Sequence, residues 1–123
     1  MLVGVGVDLM DVARVEAQVG DEAFLSSVFT PGELDYCRGK RYPAQHLAAR
    51  FAAKEAFFKA LGVDGKQGLP WREVEIRNDE SGRPEMRLHG ALEKTAQAKK
   101  VAAIHLSLSH AGGVAIAQLV LES

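Results

Sequence analysis

Two carboxylates, Asp8 and Glu55, are the residues of this sequence best placed to do chemistry. Glu55 lies among small alanines on an apolar helical segment, where an unpaired carboxylate would be costly to bury. It therefore needs a cation, which is either Lys59, one helical turn later, or a metal ion. The first alternative is an ordinary ion pair. The second indicates Mg²⁺, which binds through few protein carboxylates when substrate phosphates complete its shell.

Cationic and polar side chains elsewhere in the sequence could bind the phosphates of such a substrate. They are Arg50, Lys54 and Lys59 on the same helical segment, and Ser107 and His110 at the end of an alternating strand. Arginine and lysine neutralise phosphate oxygens through charge-assisted hydrogen bonds. The sequence contains no glycine-rich phosphate loop of the P-loop or dinucleotide type.

A long central helix must carry most of these residues. Apolar side chains surround the segment from Arg50 to Gly62 on almost all sides, which is typical of a buried helix. Gly62 supplies a stop signal, and we expect the helix to run from about residue 44 to residue 61. Its charged residues would then lie beside core-forming surface.

The first strand would present Asp8. Valines at positions 3, 5 and 7 alternate with Gly4, Gly6 and Asp8, so we expect the valines to face the core and Asp8 to lie on a face stripped of side chains. That face is open to close approach. Asp8 either binds a ligand or caps the following helix, whose apolar residues run from Leu9 to Val19, and Asp11 is an equally good cap.

Local signals predict the remaining elements. A second helix begins at Asp21, a third follows the capping box of Thr30 to Glu33, and a further helix spans residues 91–100. A basic loop spans residues 38–43, and a loop that could close over a ligand spans residues 62–70. Hairpins occupy residues 74–88 and 104–121. The predicted element order is a strand, three helices, two strands, a helix and two strands. We therefore predict an α+β fold with a largely antiparallel sheet and a long central helix.

Length and composition restrict the classes of function. The chain has 123 residues, of which 47% are hydrophobic and 25% charged, as expected for a single domain spanning residues 1–123. A net charge of −1 argues against a nucleic-acid partner. The single cysteine, Cys37, cannot form an internal disulfide, and the short apolar start from Leu2 to Val7 fits neither a signal peptide nor a membrane span. We expect a cytoplasmic protein without a membrane partner.

Three sequence blocks occur in order along the chain. They are Gly4-Val5-Gly6-Val7-Asp8-Leu9 with Arg14 downstream, Arg50-Phe51-Ala52-Ala53-Lys54-Glu55-Ala56 with Lys59-Ala60-Leu61-Gly62, and His105-Leu106-Ser107-Leu108-Ser109-His110. Together the blocks resemble the holo-acyl-carrier-protein synthase family of 4′-phosphopantetheinyl transferases. The resemblance runs from Val3 to Glu122, and the predicted element order agrees with the fold of that family.

The resemblance implies a role for each candidate site residue. Asp8 and Glu55 would be the Mg²⁺ ligands, and Glu55 and Lys59 the catalytic residues, with Lys59 on the pyrophosphate of coenzyme A. Coenzyme A would also contact Arg50, Gly62, Ser107 and His110, and Arg14 would meet an acidic carrier protein. Asp11 stands where a glutamate is common in the family, and Ala111 where some relatives carry a polar or acidic residue.

The reaction implied by the resemblance moves the phosphopantetheine arm of coenzyme A onto a serine of apo acyl carrier protein, in support of fatty acid biosynthesis, and releases adenosine 3′,5′-bisphosphate. Glu55 or a water molecule at the metal would take the serine proton. The resemblance also implies a homotrimer, in which Asp8, Glu55 and Lys59 of one chain share coenzyme A with Arg50 or His110 of the next. The glycine-lined face of the first strand, left half covered, would be a reason for such assembly.

Two other classes of function use the same residues. A Mg²⁺-dependent phosphohydrolase would need the carboxylates but no acidic protein partner. A non-catalytic interaction domain would contain Glu55 and Lys59 only as a packed ion pair, and it predicts no dependence on a metal.

Overall fold

The computed structural model describes residues 1–63, 65 and 68–123. The strands are β1 (Leu2–Asp11), β2 (Val74–Asn78), β3 (Pro84–Leu88), β4 (Ala103–Ala111) and β5 (Val114–Glu122). The α-helices are α1 (Val12–Glu16), α2 (Glu22–Val28), α3 (Pro31–Arg38), α4 (Pro43–Leu61) and α5 (Gly90–Ala98), and a short 3₁₀ helix spans Trp71–Glu73.

The strands form two antiparallel sheets. β1, β5 and β4 make a three-stranded sheet in that order, and β2 pairs with β3 in a separate hairpin. Gly112 and Gly113 have φ angles of 60° and 78°, and they make the tight turn between β4 and β5. The α+β class and the antiparallel pairing are confirmed, and the predicted order of strands and helices agrees with the structure, in which four helices, α1 to α4, occupy the stretch between β1 and β2 that was predicted as three.

Helix α4 lies at the centre of the molecule, as predicted. It is 19 residues long, begins with Pro43 at its first position, and packs against β1, β5, α1 and α3. Gly62 ends it with a φ of 80°, and the Gly62 N–H donates to the carbonyl oxygens of Phe58 and Lys59. This left-handed stop explains why glycine follows the last turn.

The face of β1 that packs on α4 is the reverse of the predicted one. Gly4 and Gly6 face the helix, where a Cβ atom would overlap the backbone carbonyl oxygens of Ala60 and Ala56. The apolar side chains point away from α4 and are 56 to 63% exposed; they are Leu2, Val5, Val7 and Leu9. The prediction that the valines face the core is wrong for Val5 and Val7, because the helix backbone itself occupies the space beside the glycines. Val3, at an irregularity in the pairing of β1 with β5, is half-buried and packs against the core.

Strand β1 is also longer than predicted, and the helix after it is shorter. The predicted helix from Leu9 to Val19 is wrong at both ends, because Leu9 and Asp11 still pair with β5 and α1 covers only Val12–Glu16. Asp11 caps α1 by accepting a hydrogen bond from the Ala13 N–H at 3.1 Å. Asp8 is therefore not the cap.

The starts of α2 and α3 follow the sequence signals. Asp21 caps α2 by accepting a hydrogen bond from the Phe24 N–H at 3.1 Å. Thr30 and Glu33 form the complete capping box of α3, in which each side chain accepts a hydrogen bond from the other residue's N–H. Both predicted helix starts are confirmed.

A buried ion pair joins α3 to α4. Lys54 is fully buried, and its Nζ donates to Glu33 Oε1 at 2.8 Å. Three backbone carbonyl oxygens, those of Val28, Trp71 and Val74, lie 2.7 to 2.9 Å from the same nitrogen. Burial lowers the pKa of Lys54, and Glu33 opposes that shift. Lys54 thus ties α4 to α2, the 3₁₀ helix and β2, and its role is structural.

Two further expectations concern the loop after α4 and the membrane. The loop at residues 62–70, expected to close over a ligand, includes residues 64, 66 and 67, which lie outside the described residues. Within the part of the chain that the structure describes, no helix combines the length and the apolar character needed to span a bilayer.

Candidate active site

The first part of the candidate site lies between β1 and α4. Asp8 projects from the same face of β1 as Gly6, and its side chain is only 11% exposed. Lys59 Nζ donates to Asp8 Oδ1 at 2.6 Å. Glu55, one helical turn before Lys59, is close enough to the Asp8 carboxyl group for that group to raise the pKa of Glu55. The structure therefore brings together the three residues predicted to share a site, with Asp8 as the hydrogen-bond partner of Lys59.

The electrostatics of this cluster follow from two carboxyl groups in contact. Burial raises the pKa of Glu55 to about 7, and the neighbouring Asp8 carboxyl group adds to the rise, whereas Lys59 and Arg14 oppose it. The hydrogen bond to Asp8 raises the pKa of Lys59, so the ammonium group stays charged. Near neutral pH, Glu55 can therefore both accept and release a proton.

The Asp8 and Glu55 carboxyl groups fit a Mg²⁺ ion. Asp8 Oδ2 is buried and accepts a hydrogen bond from no group in the described residues. Such an oxygen is unfavourable unless a shared proton or a cation satisfies it. Within residues 1–63, 65 and 68–123, no cluster of three or more histidine, cysteine, aspartate or glutamate side chains has metal-binding geometry. Two carboxylates are nevertheless enough for Mg²⁺ when phosphate oxygens and water complete its shell.

The second part of the candidate site is an open cavity of about 520 Å³ on another side of α4. Arg50, Ser107 and His110, all predicted to bind a ligand, line this cavity with Ser109 and with Gly82 and Arg83 of the β2–β3 turn. A cavity of this size accommodates a small-molecule ligand, and its cations and hydroxyl groups favour an anionic one.

Arg50 is almost fully enclosed at the wall of this cavity. The residue is 2% exposed, its Nη1 donates to the His46 carbonyl oxygen at 3.2 Å, and its Nη2 donates to Asn78 Oδ1 at 2.6 Å. The guanidinium group lies over the ring of Tyr36, 4.5 Å from the ring centroid. Its Nε is buried and finds no acceptor among the described residues. The guanidinium group therefore has hydrogen-bonding capacity that no described residue uses, although Nε itself is not exposed to the cavity.

Positive charge is concentrated around the same cavity. The pKa of His46 is lowered, first by burial and then by the charges of Arg50, Lys40 and His110. These groups are therefore close enough to repel additional positive charge at His46. A bound phosphate would relieve this repulsion.

The two parts of the site do not meet within one chain. Asp8, Glu55 and Lys59 are not among the described residues that line the cavity. Arg50 and Glu55 are five residues apart on α4, which places them about 140° apart around the helix axis. A ligand that contacts both parts must either wrap around α4 or take one part from a second chain.

The other predicted site residues have identifiable environments. Gly62 caps α4. A Cβ atom at Gly62 would lie 3.6 Å from Lys99 Nζ. Lys99 Nζ donates a hydrogen bond to the Leu61 carbonyl oxygen at 2.7 Å. Arg14 is exposed on α1, close enough to Glu55 to affect its pKa. In the third sequence block, His105 Nε2 lies 3.0 Å from Glu122 Oε1.

Sequence reasoning missed three residues beside the site, namely Tyr36, Asn78 and Lys99. Tyr36 has the spacing of an ordinary core residue of α3, Asn78 that of a turn residue, and Lys99 lies just after α5. None of these local signals indicates a contact with α4, since each partner is distant in the sequence.

Comparison with known families defines the class of the chain. A model described as the 4′-phosphopantetheinyl transferase superfamily matches residues 4–118. Curated relatives include the holo-[acyl-carrier-protein] synthases of Geotalea daltonii, 48% identical over 124 residues, and Geobacter sulfurreducens, 44% identical over 124 residues. Each alignment covers 99% of this chain, and it covers 99% and 98% of the two relatives, respectively.

Solved structures of similar proteins share the fold. Holo-[acyl-carrier-protein] synthase from Neisseria meningitidis has a TM-score of 0.90 and 32% identity, with all of both chains covered. The protein of that name from Helicobacter pylori, solved in complex with coenzyme A, has a TM-score of 0.82 and 29% identity, covering 96% of this chain and 99% of that one. The chain therefore belongs to the holo-acyl-carrier-protein synthase family of 4′-phosphopantetheinyl transferases and is an enzyme.

Proposed function

We propose that this enzyme transfers the 4′-phosphopantetheine arm of coenzyme A to a serine of apo acyl carrier protein and releases adenosine 3′,5′-bisphosphate. The observation that carries the proposal is the cluster of Asp8, Glu55 and Lys59 around a buried carboxylate oxygen that lacks a donor in the described residues. The names of the relatives and the coenzyme A bound to one of them support the same substrates. We assign the activity to one domain, residues 1–123.

In the proposed reaction the serine hydroxyl oxygen forms a bond to the phosphorus that carries the pantetheine arm. The bond from that phosphorus to the bridging oxygen breaks, and this oxygen leaves with adenosine 3′,5′-bisphosphate. The serine proton passes to Glu55, which α4 places beside Asp8 and Lys59, or to a water molecule next to it. Lys59, oriented by Asp8, stabilises the negative charge that develops on the pyrophosphate.

The proposed cofactor is Mg²⁺, with Asp8 and Glu55 as its protein ligands. When bound, the ion would neutralise charge on the phosphate oxygens as the phosphorus changes partners. Its binding would also satisfy Asp8 Oδ2, the oxygen without a donor in the described part of the chain.

The proposed site for the phosphates on the nucleotide side of coenzyme A is the cavity around Arg50. Arg50 and His110 would contact phosphate oxygens, and Ser107 would donate a hydrogen bond from the same strand. Gly62 would border the ligand at the end of α4, where Lys99 adds a cation.

We extend the proposal to a homotrimer with active sites between subunits. Two observations support it: the two parts of the site lie on different sides of α4, and the outer face of β1 exposes a row of apolar side chains. Exposed apolar strands of this kind favour an interface with another protein surface. The face available for assembly is thus the valine face of β1, and the glycine-lined face predicted from the sequence is covered by α4.

The proposed carrier protein would dock near Arg14, which is exposed on α1 beside the carboxylate cluster. An acidic carrier would find a complementary charge there. We place the reaction in the cytoplasm, since the single, buried cysteine is compatible with a reducing compartment. The proposed acyl carrier protein substrate would connect the reaction with fatty acid biosynthesis.

The direct test is incubation of the enzyme with coenzyme A, Mg²⁺ and apo acyl carrier protein, followed by mass spectrometry of the carrier. The expected result is a mass increase equal to one phosphopantetheine arm, lost when Mg²⁺ is chelated. A phosphohydrolase would instead release free phosphopantetheine and leave the carrier unlabelled. An interaction domain would change neither coenzyme A nor the carrier.

Shared sites are tested by mixing chains that are defective in different parts. Glu55→Gln removes the carboxylate part, and His110→Ala removes a cavity residue. If each site takes one part from each chain, mixed trimers regain activity that neither variant has alone. A monomeric mass at full activity, measured by light scattering, would refute the shared site.

A further inference from the structure

The environment of Arg50 contains a positioning device that neither the sequence motif nor the relatives assign. We propose that Tyr36 and Asn78 hold the Arg50 guanidinium in a fixed orientation, ready to bind a phosphate group of coenzyme A. This inference rests on the proposed function and concerns two residues outside the three sequence blocks that carry the family resemblance.

The first argument is the missing counter-charge. Arg50 is 2% exposed, and within the described residues its side-chain hydrogen bonds go to a backbone carbonyl oxygen and to a neutral amide. Burying a guanidinium group without a carboxylate partner is costly. Because no carboxylate pairs with the buried Arg50 guanidinium, the full positive charge of Arg50 is left for an anion in the adjoining cavity.

The second argument is the orientation of the Asn78 amide. Its Oδ1 accepts from Arg50 Nη2 at 2.6 Å, and its Nδ2 donates to the Gly82 carbonyl oxygen at 3.0 Å. Because each end of the amide has its own partner, flipping it would break both hydrogen bonds. Asn78 thus fixes one edge of the guanidinium without neutralising its charge.

The third argument is the support beneath the guanidinium plane. The centroid of the Tyr36 ring lies 4.5 Å from Arg50 Cζ and 4.5 Å from Lys40 Nζ, and the ring makes an edge-to-face contact with His46, with ring centroids 6.2 Å apart. An aromatic face attracts a cation without supplying a negative charge. Tyr36 restrains the plane of the Arg50 guanidinium group, and Asn78 restrains one of its edges. Arg50 Nε has no acceptor in the described part of the chain.

The test is a set of double-mutant cycles on the transfer reaction, with the KM for coenzyme A and kcat measured separately. Asn78→Ala and Tyr36→Leu should each raise the KM roughly tenfold with a smaller change in kcat, since a misoriented guanidinium mainly loses binding. Asn78→Asp should raise the KM further, because a carboxylate competes with the phosphate. Tyr36→Phe keeps the ring and should remain within about twofold of wild type.

The decisive comparison repeats these substitutions in the Arg50→Ala background. Residues that act through Arg50 should then have no further effect on the KM, whereas residues that only stabilise the fold should lower Tm and change the KM equally in both backgrounds. Ser81→Ala is a matched control, since it removes the hydrogen bond of Ser81 Oγ to Asp79 in the same turn without touching Arg50. Its KM should match that of wild type.

Equal effects in both backgrounds, or an unchanged KM for Asn78→Asp, would overturn the inference. If Asn78→Ala or Tyr36→Leu fails to fold, Asn78→Asp has nearly the same shape and decides the question. Wild-type enzyme that does not label the carrier would refute the proposed function instead. In that case calorimetric binding of coenzyme A to the same variants still tests the positioning, and additive losses of affinity would reject it.

Discussion

Replacing Gly6 with alanine should separate β1 from α4 and disrupt the carboxylate cluster. The Cβ atom of Ala would overlap the Ala56 carbonyl oxygen and approach Ala60 Cβ at 3.2 Å. Because the main obstacle is helix backbone and not a flexible side chain, the two elements must move apart by roughly 1 Å.

The expected cost follows from this overlap. Overpacking against a rigid neighbour costs about 3 kcal/mol, which corresponds to a decrease in Tm of roughly 10 °C for a chain of this size. A typical domain stability of about 5–15 kcal/mol leaves the variant folded at room temperature. The same movement takes Asp8, on the same face of β1, away from its 2.6 Å hydrogen bond with Lys59. Transfer should therefore decrease by roughly 100-fold, as expected when a catalytic group is displaced by about 1 Å.

The assay combines thermal unfolding with transfer rates measured well below the unfolding midpoint. Gly20→Ala is the matched control, since no heavy atom of the described residues, apart from its immediate chain neighbours, lies within 4 Å of the added Cβ. Its stability should remain within about 0.5 kcal/mol of wild type, with full activity. A Gly6→Ala variant with wild-type Tm and rate would refute the close packing of β1 on α4.

Lys59→Ala should lower kcat more than it raises the KM for coenzyme A, since its charge is needed most as the pyrophosphate bond breaks; an effect on the KM alone would contradict this role. Arg14→Glu should raise the KM for the carrier protein and mimic added salt, and kinetics that do not depend on salt would argue against docking there. Lys54→Met should destabilise the fold by about 3–5 kcal/mol in urea unfolding, because Glu33 would be left buried without its partner; a loss below about 1 kcal/mol would contradict this. Burial raises the pKa of Cys37 from 9.0 to about 11, so between these pH values the native thiol stays protonated while an unfolded one ionises. Alkylation at pH 10 should accordingly be slow until the protein unfolds, and rapid reaction of native Cys37 would contradict its burial.

The parts of the fold that the sequence predicts well are those set by local signals. The capping box of Thr30 and Glu33, the stop at Gly62 and the alternation in β4 all act within a few residues, and each appears in the structure where expected. Asp8, Glu55 and Lys59 were grouped by chemistry and by family resemblance, and the structure places them together.

The parts that the sequence did not predict depend on contacts between distant segments. Alternation in β1 is equally compatible with either face packing inward, and the backbone of α4 selects the glycine face. The ion pair of Lys54 with Glu33 crosses from α4 to α3, and the hydrogen bond of Arg50 with Asn78 crosses from α4 to β2. Periodicity describes each segment alone, so it cannot identify such partners.

The position of the two parts on one helix also restricts the proposed assembly. Glu55 and Arg50 lie on the same rigid helix, which Lys54 anchors to α2, α3 and β2, so their separation is fixed within each chain. If the carboxylate part of one chain meets the Arg50 part of another, two different parts of the surface are in contact across the interface. In a two-fold dimer both surfaces would have to belong to one self-complementary patch, so that each chain exchanges both parts with the same neighbour. A closed ring of identical chains instead joins two separate surfaces at every interface and completes every site, which is the arrangement of the proposed trimer.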